Sequence, residues 1–423
     1  MMDKKISIFG ICVYKRKTKE NITTTHVLSI PVLKKIKTES CKKYYLFGIF
    51  KKNIYNKQIL NIKNEVILNI NKSPLNVLFF LTGGIGDYII AGAYIKKFCT
   101  FFNVQVDIIC TMNATTVANL FYNQLFINKI IQPQQTKLEE INQMAQQYDL
   151  CIKLSRFPEL LKFNEEIIKK YSNSLYNYIY FILDFYKQNE KFFIGHPYLD
   201  GLSAVYCLAN HVKRYQQPDI GNFLKIDENS INYLNVNRDD NQILQELGLR
   251  KKSYITLHRG IDAQKENFST KLWPTTNYNK LIELLRGLFP SKTIIQLGVS
   301  EDKCEKFENT DINLIGKTSF GQLKVLLKSA YLHIDSEGGM VHLRHALGGG
   351  KSVVLFGPTS KEFYEYSENI NIKGNGCPIW CEWVKNDWNT KCMQSNDFIA
   401  CMISIKPEIV FNIIKRSCNN VKK

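Results

Sequence analysis

Short apolar stretches recur along the whole chain, separated by breaks rich in lysine and asparagine, and their arrangement changes once, near Asn76. Ahead of that point, residues 6–13, 24–33, 44–50 and 66–70 are rich in Ile, Val, Tyr or Phe and predict β-hairpins or a small meander. Residues 1–75 therefore read as an N-terminal β-rich accessory segment without chemistry of its own. Docking of an acceptor or of another subunit is the role open to it. Beyond Asn76, residues 77–81 form a continuous apolar strand, Thr82 to Gly86 a glycine-rich turn, and 87–99 a helical pattern. Strands at 104–110 and 149–154 and a helical region over 161–186 follow. Such alternation predicts a mostly parallel sheet covered on both faces.

Residues 195–240 lack periodicity, which places a linker near 220–245. A second α/β unit then begins. Its predicted strands are 254–258, 293–297, 331–334 and 352–356, and its predicted helices are 281–288, 320–328 and 340–347. A helical tail at 405–414 is expected to pack back on the first unit. The fold class is α/β, with two Rossmann-like doubly wound domains over 76–240 and 241–423. In such folds ligands bind at the carboxyl ends of the strands, here in the cleft that the two domains face.

Composition narrows the function without naming it. The chain has 423 residues, 45% of them hydrophobic, enough for a sizeable core. No run reaches the roughly twenty apolar residues that cross a bilayer. The start through Cys12 is basic and then apolar, but Lys15 to Lys19 follow with no small-residue cleavage site, so secretion is not expected. Twelve cysteines are few for a disulfide scaffold of this length, and a reduced, cytoplasmic state is expected. The net charge of +18 suits phosphorylated substrates, an anionic membrane face or nucleic acid. No zinc-finger spacing, RNA-recognition signature or dense basic–aromatic strip supports the last of these.

Four constellations carry candidate chemistry. Thr82-Gly83-Gly84-Ile85-Gly86-Asp87 brings backbone N–H groups near an anion or sugar, although its spacing is not that of a Walker loop. Asp87 is either a helix cap or a general base for an acceptor hydroxyl. Asp335-Ser336-Glu337-Gly338-Gly339-Met340-Val341-His342 repeats the strand–glycine turn–helix arrangement, and its helix N-terminus could hold a pyrophosphate. Within it Asp335 or Glu337 could bind sugar hydroxyls, and His342 is either a nucleotide contact or a packed helical histidine. His258-Arg259-Gly260 and Lys271-Leu272-Trp273-Pro274 come third; Lys271 could neutralise a departing phosphate, and Trp273 reads as structural. Last, Cys377, Cys381, Cys392 and Cys401 lie within 25 positions and could ligate zinc or iron, or be clustered thiols only. Trp380, Trp383 and Trp388 beside them offer a sugar-stacking edge or a small core.

These residues resemble the ADP-heptose glycosyltransferases of family 9, over roughly residues 76–415. The resemblance rests on Gly84-Ile85-Gly86-Asp87, Lys271-Leu272-Trp273-Pro274, the segment from Asp335 to Leu343, Phe356-Gly357-Pro358-Thr359, and Cys401-Met402 with Ile405, Pro407, Glu408 and Val410. It implies the GT-B arrangement and inverting transfer from ADP-heptose, with Asp87 as base and Lys271 on the diphosphate. It further implies a donor site of Gly84, Gly86, Arg259, Glu301, Asp335, Ser336, Glu337, Gly338, Gly339 and His342, and no catalytic metal. The front segment, the Glu337-Gly338-Gly339 variant and the cysteines resemble the subgroup that glycosylates autotransporter adhesins. That subgroup implies structural iron, rather than zinc, in a cysteine loop at 377–401, a homo-oligomer, and a protein acceptor. A lipopolysaccharide-core or capsule acceptor, with peripheral contact at the inner membrane, is the alternative. A non-catalytic nucleotide-binding scaffold is another, and a nucleic-acid partner is not expected.

Overall fold

The structure, a computed structural model, describes residues 75–133, 138–189, 201–260, 269–299, 304–378, 380–383 and 387–419, together with six strands between residues 4 and 55. The chain forms two compact units, 1–63 and 64–423.

The first unit is an antiparallel meander of β1 (Lys4–Ile8), β2 (Ile11–Lys19), β3 (Ile22–Val27), β4 (Ile30–Lys37), β5 (Cys41–Leu46) and β6 (Ile49–Tyr55), in that order across the sheet. The meander matches expectation, but the strand limits do not. Each expected segment at 6–13, 24–33 and 44–50 straddles the end of one strand and the start of the next. Apolar residues gather at those ends, while strand interiors run on into lysine, as in the Ile-Cys-Val-Tyr-Lys-Arg-Lys-Thr-Lys of β2. Hydrophobic patterning therefore loses a strand where its sequence turns polar. The segment expected at 66–70 lies outside the described residues.

The second unit holds two sheets. The first contains β7 (Val77–Leu81), β8 (Val106–Cys110), β9 (Ile127–Ile131), β10 (Leu150–Leu154) and β11 (Pro158–Phe163), in the order β11-β10-β7-β8-β9. All neighbours are parallel except β10 and β11. Every residue of β7 is buried, as expected for a central strand covered on both faces. Each such Val, Leu or Phe contributes about 1.5–3 kcal/mol by leaving water. The helical region expected over 161–186 starts later than predicted. Residues 161–163 complete β11, and helices Glu165–Tyr171 and Asn173–Gln188 follow, capped by the side chains of Asn164 and Ser172.

The second sheet contains β12 (Tyr254–Leu257), β13 (Thr293–Gln296), β14 (Ile312–Asn313), β15 (Leu332–Ser336), β16 (Ser352–Phe356) and β17 (Ile370–Lys373). Its order, β14-β13-β12-β15-β16-β17, is the 3-2-1-4-5-6 sequence of doubly wound folds, and every pair is parallel. The order reverses between β12 and β15. The tail helix, Pro407–Asn419, packs on this sheet's own helix Thr275–Leu288, not on the first sheet as expected. Val410 and Ile414, one helical turn apart, share a core with Tyr278, Leu281, Ile282 and Leu285. Trp273 is fully buried there and donates from Nε1 to the Ile405 carbonyl at 2.9 Å.

Helix Gly201–Ala209 falls within the stretch 195–240 that was expected to be aperiodic, and mostly irregular chain then leads to the second sheet. Asp219 stabilises it by accepting from the backbone of Leu224 and Ile226. Tyr233 then donates its hydroxyl to the Ile89 carbonyl beside the first sheet, while the next residue, Leu234, donates its N–H to Ala346 beside the second. Among the described residues no helix is long and apolar enough to cross a membrane.

Candidate active site

Strand β7 ends in the first glycine turn, which starts helix Ile85–Phe102. Gly83 has φ of +101°, and a Cβ there would collide with the Asp87 carboxyl, so the turn requires glycine. Asp87 Oδ2 accepts from Gly84 N at 2.9 Å, which realises the capping reading. Its other oxygen accepts from Arg214 Nη2 at 2.7 Å, and the side chain remains 39% exposed. Capping thus occupies one oxygen and leaves the carboxylate accessible.

The second glycine turn lies at the carboxyl end of β15, where the sheet order reverses. Asp335 is buried within it. Its Oδ1 accepts from the N–H of Ser336 at 2.8 Å, and its Oδ2 lies 3.0 Å from His258 Nδ1 and 3.5 Å from His333 Nε2. Burial pushes this carboxyl up, but His258 and His333 outweigh it and hold it below the ordinary range. Glu337 meets Lys271 Nζ at 2.5 Å and accepts from Thr359 Oγ1 at 3.0 Å; its Oε1 is 3.8 Å from His342 Nε2. Burial would raise the Glu337 carboxyl, yet Lys271 and then His342 hold it down at about 2. Lys271 answers in kind: burial opposes its charge, and Glu337 restores it, leaving its pKa above the ordinary lysine value.

The two turns meet. Helix Ile85–Phe102 packs against helix Gly339–Ala346, and a Cβ on Gly339 would lie 3.5 Å from Gly86 N. A Cβ on Gly86 would lie 2.7 Å from His342 Cδ2, so only glycine lets the two helix starts approach this closely. His342 is packed, with Nδ1 2.7 Å from the Tyr366 hydroxyl. Lys271 is held by its loop: Thr270 bonds to the backbone of Trp388 and Asn389, and Lys271 Nζ sits 5.6 Å from the Trp388 ring centroid. Lys271 feels Glu337, Glu382 and Asp87, which brings residues from both glycine turns into one electrostatic neighbourhood. Arg259 pairs with Glu305 at 3.1 Å. Glu301 lies outside the described residues.

Cys377, Cys381 and Cys401 are buried and Cys392 is half-buried. Burial raises the Cys381 thiol and takes that of Cys401 to about 11, and Cys377 and Cys392 add to both shifts. The four thiols are therefore near neighbours of a type that soft metals accept. Yet among the described residues no set of three or more His, Cys, Asp or Glu side chains is arranged to hold a metal ion.

Sequence reasoning did not find Arg214, Tyr364 or Glu382. Tyr364 donates its hydroxyl to Glu382, whose carboxyl burial raises to about 7. Arg214 stands in the stretch 195–240 that lacks periodicity, where no pattern marks it.

Two doubly wound sheets, each presenting a glycine turn to a common polar site, define a GT-B-type fold. Residues 208–391 match the model of glycosyltransferase family 9 (heptosyltransferase). Similar folds include the ADP-heptose lps heptosyltransferase II of E. coli, at 15% identity and TM-score 0.50, with 82% of this chain and 100% of that one covered. The iron-containing dodecameric heptosyltransferase TibC of enterotoxigenic E. coli H10407, in complex with ADP-D-beta-D-heptose, aligns at 12% identity and TM-score 0.53, over 90% and 82%. A family 9 glycosyl transferase from Veillonella parvula DSM 2008 aligns at 12% identity and TM-score 0.50, over 81% and 97%. A comparison with the curated proteins found no match.

Proposed function

We propose that this chain transfers heptose from ADP-heptose to an acceptor hydroxyl with inversion at the anomeric carbon. The observation that carries the reading is the apposition of the two glycine turns, with accessible Asp87 on one and Lys271 held beside the other. Asp87 takes the proton of the acceptor hydroxyl. The freed oxygen attacks the anomeric carbon from the face opposite ADP, and the bond from that carbon to the β-phosphate oxygen breaks with its electron pair. Lys271 and the N–H groups at the start of helix Gly339–Ala346 stabilise the diphosphate that leaves. Glu337 stands where an anion would stand, so the diphosphate takes over the Lys271 charge that Glu337 now holds. Arg259, Ser336 and Gly338 complete the donor side of this reading.

The acceptor best supported is a lipopolysaccharide-core type of glycan. The full coverage of E. coli lps heptosyltransferase II favours it, and the net charge of +18 suits a phosphorylated acceptor at an anionic membrane face. An adhesin-type protein acceptor is the second reading, favoured by the additional strands and the cysteine loop. Iron on Cys377, Cys381, Cys392 and Cys401 and a homo-oligomer go with it, since TibC is iron-containing and dodecameric; metal analysis of the purified protein tests the former. No step above passes through a metal.

The functional test is kinetic. Asp87→Asn should abolish transfer and leave ADP binding intact, and Lys271→Ala should weaken both. Normal turnover by Asp87→Asn would remove Asp87 from the mechanism, and unchanged ADP affinity in Lys271→Ala would remove Lys271.

A further inference from the structure

Arg214 links the two halves of the site. Its residue is 5% exposed, and its Nη2 donates both to Asp87 Oδ1 at 2.7 Å and to the Ser155 carbonyl at 2.9 Å. Ser155 directly follows β10, and Asp87 follows β7; these two strands are the neighbours at which the first sheet's order reverses. The backbone of Arg214 points the other way, with its N–H donating to the Phe363 carbonyl at 2.8 Å. Two further contacts fasten the same turn to the same strip beyond β16: Lys213 pairs with Glu365 at 3.0 Å, and the Tyr215 ring stacks on Tyr366. That strip also carries Tyr364, bonded to Glu382, and Tyr366, bonded to His342.

We infer that Arg214 is a positioning residue: it fixes the orientation of the Asp87 carboxylate, and it can do so only while the linker turn is docked on the strip 363–366 of the second half. The inference rests on the proposed role of Asp87 as base. Three observations carry it. With Oδ2 tied to Gly84 N and Oδ1 to Arg214, the carboxylate plane is set at both oxygens while 39% of the side chain stays open to an acceptor. A misplacement of about 1 Å at such a group can cost on the order of a hundredfold in rate. Arg214 is also an expensive way to join two domains, because a buried cation costs more than an apolar contact of the same size. Burial works against its charge, Asp87 and then Tyr364 together more than restore it, and among the described residues Nη1 is buried without a hydrogen-bond partner. Among the described residues the charged groups around the carboxylate include Arg214 and, from the second half, Lys271, with Glu337 and Glu382 beyond Lys271.

The test compares Arg214→Gln, Arg214→Lys and Asp87→Asn in the full chain. ADP release from ADP-heptose is followed with core oligosaccharide and adhesin passenger both supplied, and ADP affinity is measured separately. Arg214→Gln should lose about a hundredfold in kcat, with ADP affinity and the donor KM within about twofold of wild type. Arg214→Lys should recover about tenfold of that loss, because its ammonium reaches one of the two acceptors. A purely architectural arginine would instead lose ADP affinity in parallel with kcat, or leave kcat within about threefold, and either result overturns the inference. If Arg214→Gln fails to fold, Arg214→Lys decides alone: kcat lower by about tenfold at unchanged ADP affinity supports positioning, and unchanged kcat refutes it. An inactive Asp87→Asn beside a fully active Arg214→Gln sinks this inference only. An active Asp87→Asn sinks the role of Asp87 itself.

Discussion

Replacing Lys271 by methionine removes one partner of a buried ion pair and separates its structural from its functional work. Glu337 is 6% exposed, and without Lys271 it keeps, among the described residues, Thr359 Oγ1 at 3.0 Å and His342 Nε2 at 3.8 Å. Stranding a buried charge costs about 3–5 kcal/mol. The Lys271 side chain is 23% exposed and Glu337 retains two polar neighbours, so about 2–3 kcal/mol is the expected loss. For a unit the size of 64–423 that lowers Tm by about 3–4 °C. The loss depends on pH. In the wild type the Glu337 carboxyl sits at about 2, below its ordinary 4.5, so the pair contributes fully above 4.5 and its contribution fades as pH falls toward 2. In Lys271→Met burial acts on Glu337 with less opposition and raises that carboxyl, so the penalty applies at neutral pH and is relieved as pH falls. The gap between the two proteins should be widest near pH 7.5 and narrower at pH 5. Lys271→Met/Glu337→Gln, with both charges gone, should return to within about 1 kcal/mol of wild type in thermal denaturation. It should not recover ADP affinity by calorimetry. A single variant as stable as wild type at pH 7.5, or a double variant no better than the single, would refute the account of the pair. Restored ADP binding in the double variant would refute Lys271 as the phosphate group.

Two further substitutions probe the frame around this site. Gly86→Ala should cost about 1–3 kcal/mol, because its Cβ would sit 2.7 Å from His342 Cδ2; thermal denaturation should show the loss, and His342→Ala in the same chain should relieve it. A Gly86→Ala protein as stable as wild type would mean that the two helix starts have room to spare. Trp273→Ala should cost about 3–5 kcal/mol in denaturant unfolding, since the ring is fully buried and its N–H holds the Ile405 carbonyl. A loss under about 1 kcal/mol would contradict the reading of Trp273 as core.

Much of this arrangement was legible along the chain. β7 spans a continuous apolar run, and β16 differs only by Ser352 at its start, because strands buried on both faces are mostly apolar. Both glycine turns were visible because a strand, a turn and a helix leave three different patterns in succession. In the front meander the signal misplaced the strands, since lysine continues β2 where the apolar pattern stops. β11 was lost inside a helical reading because a six-residue strand running into Asn164 carries too few positions to fix its period. Arg214 was invisible for a different reason. Its partner Asp87 is 127 positions away, and a side chain placed by long-range packing leaves no local trace. Glu382 and Tyr364 are alike in this, being joined only when the cysteine loop folds over the second sheet.

The central claim is tested most directly by incubating the purified protein with ADP-heptose and a heptose-free lipopolysaccharide core, then weighing the acceptor by mass spectrometry. The account predicts one added heptosyl residue per acceptor, matched by released ADP, and neither product with Asp87→Asn. An acceptor of unchanged mass with no ADP released, repeated with an adhesin passenger in place of the core, would contradict it.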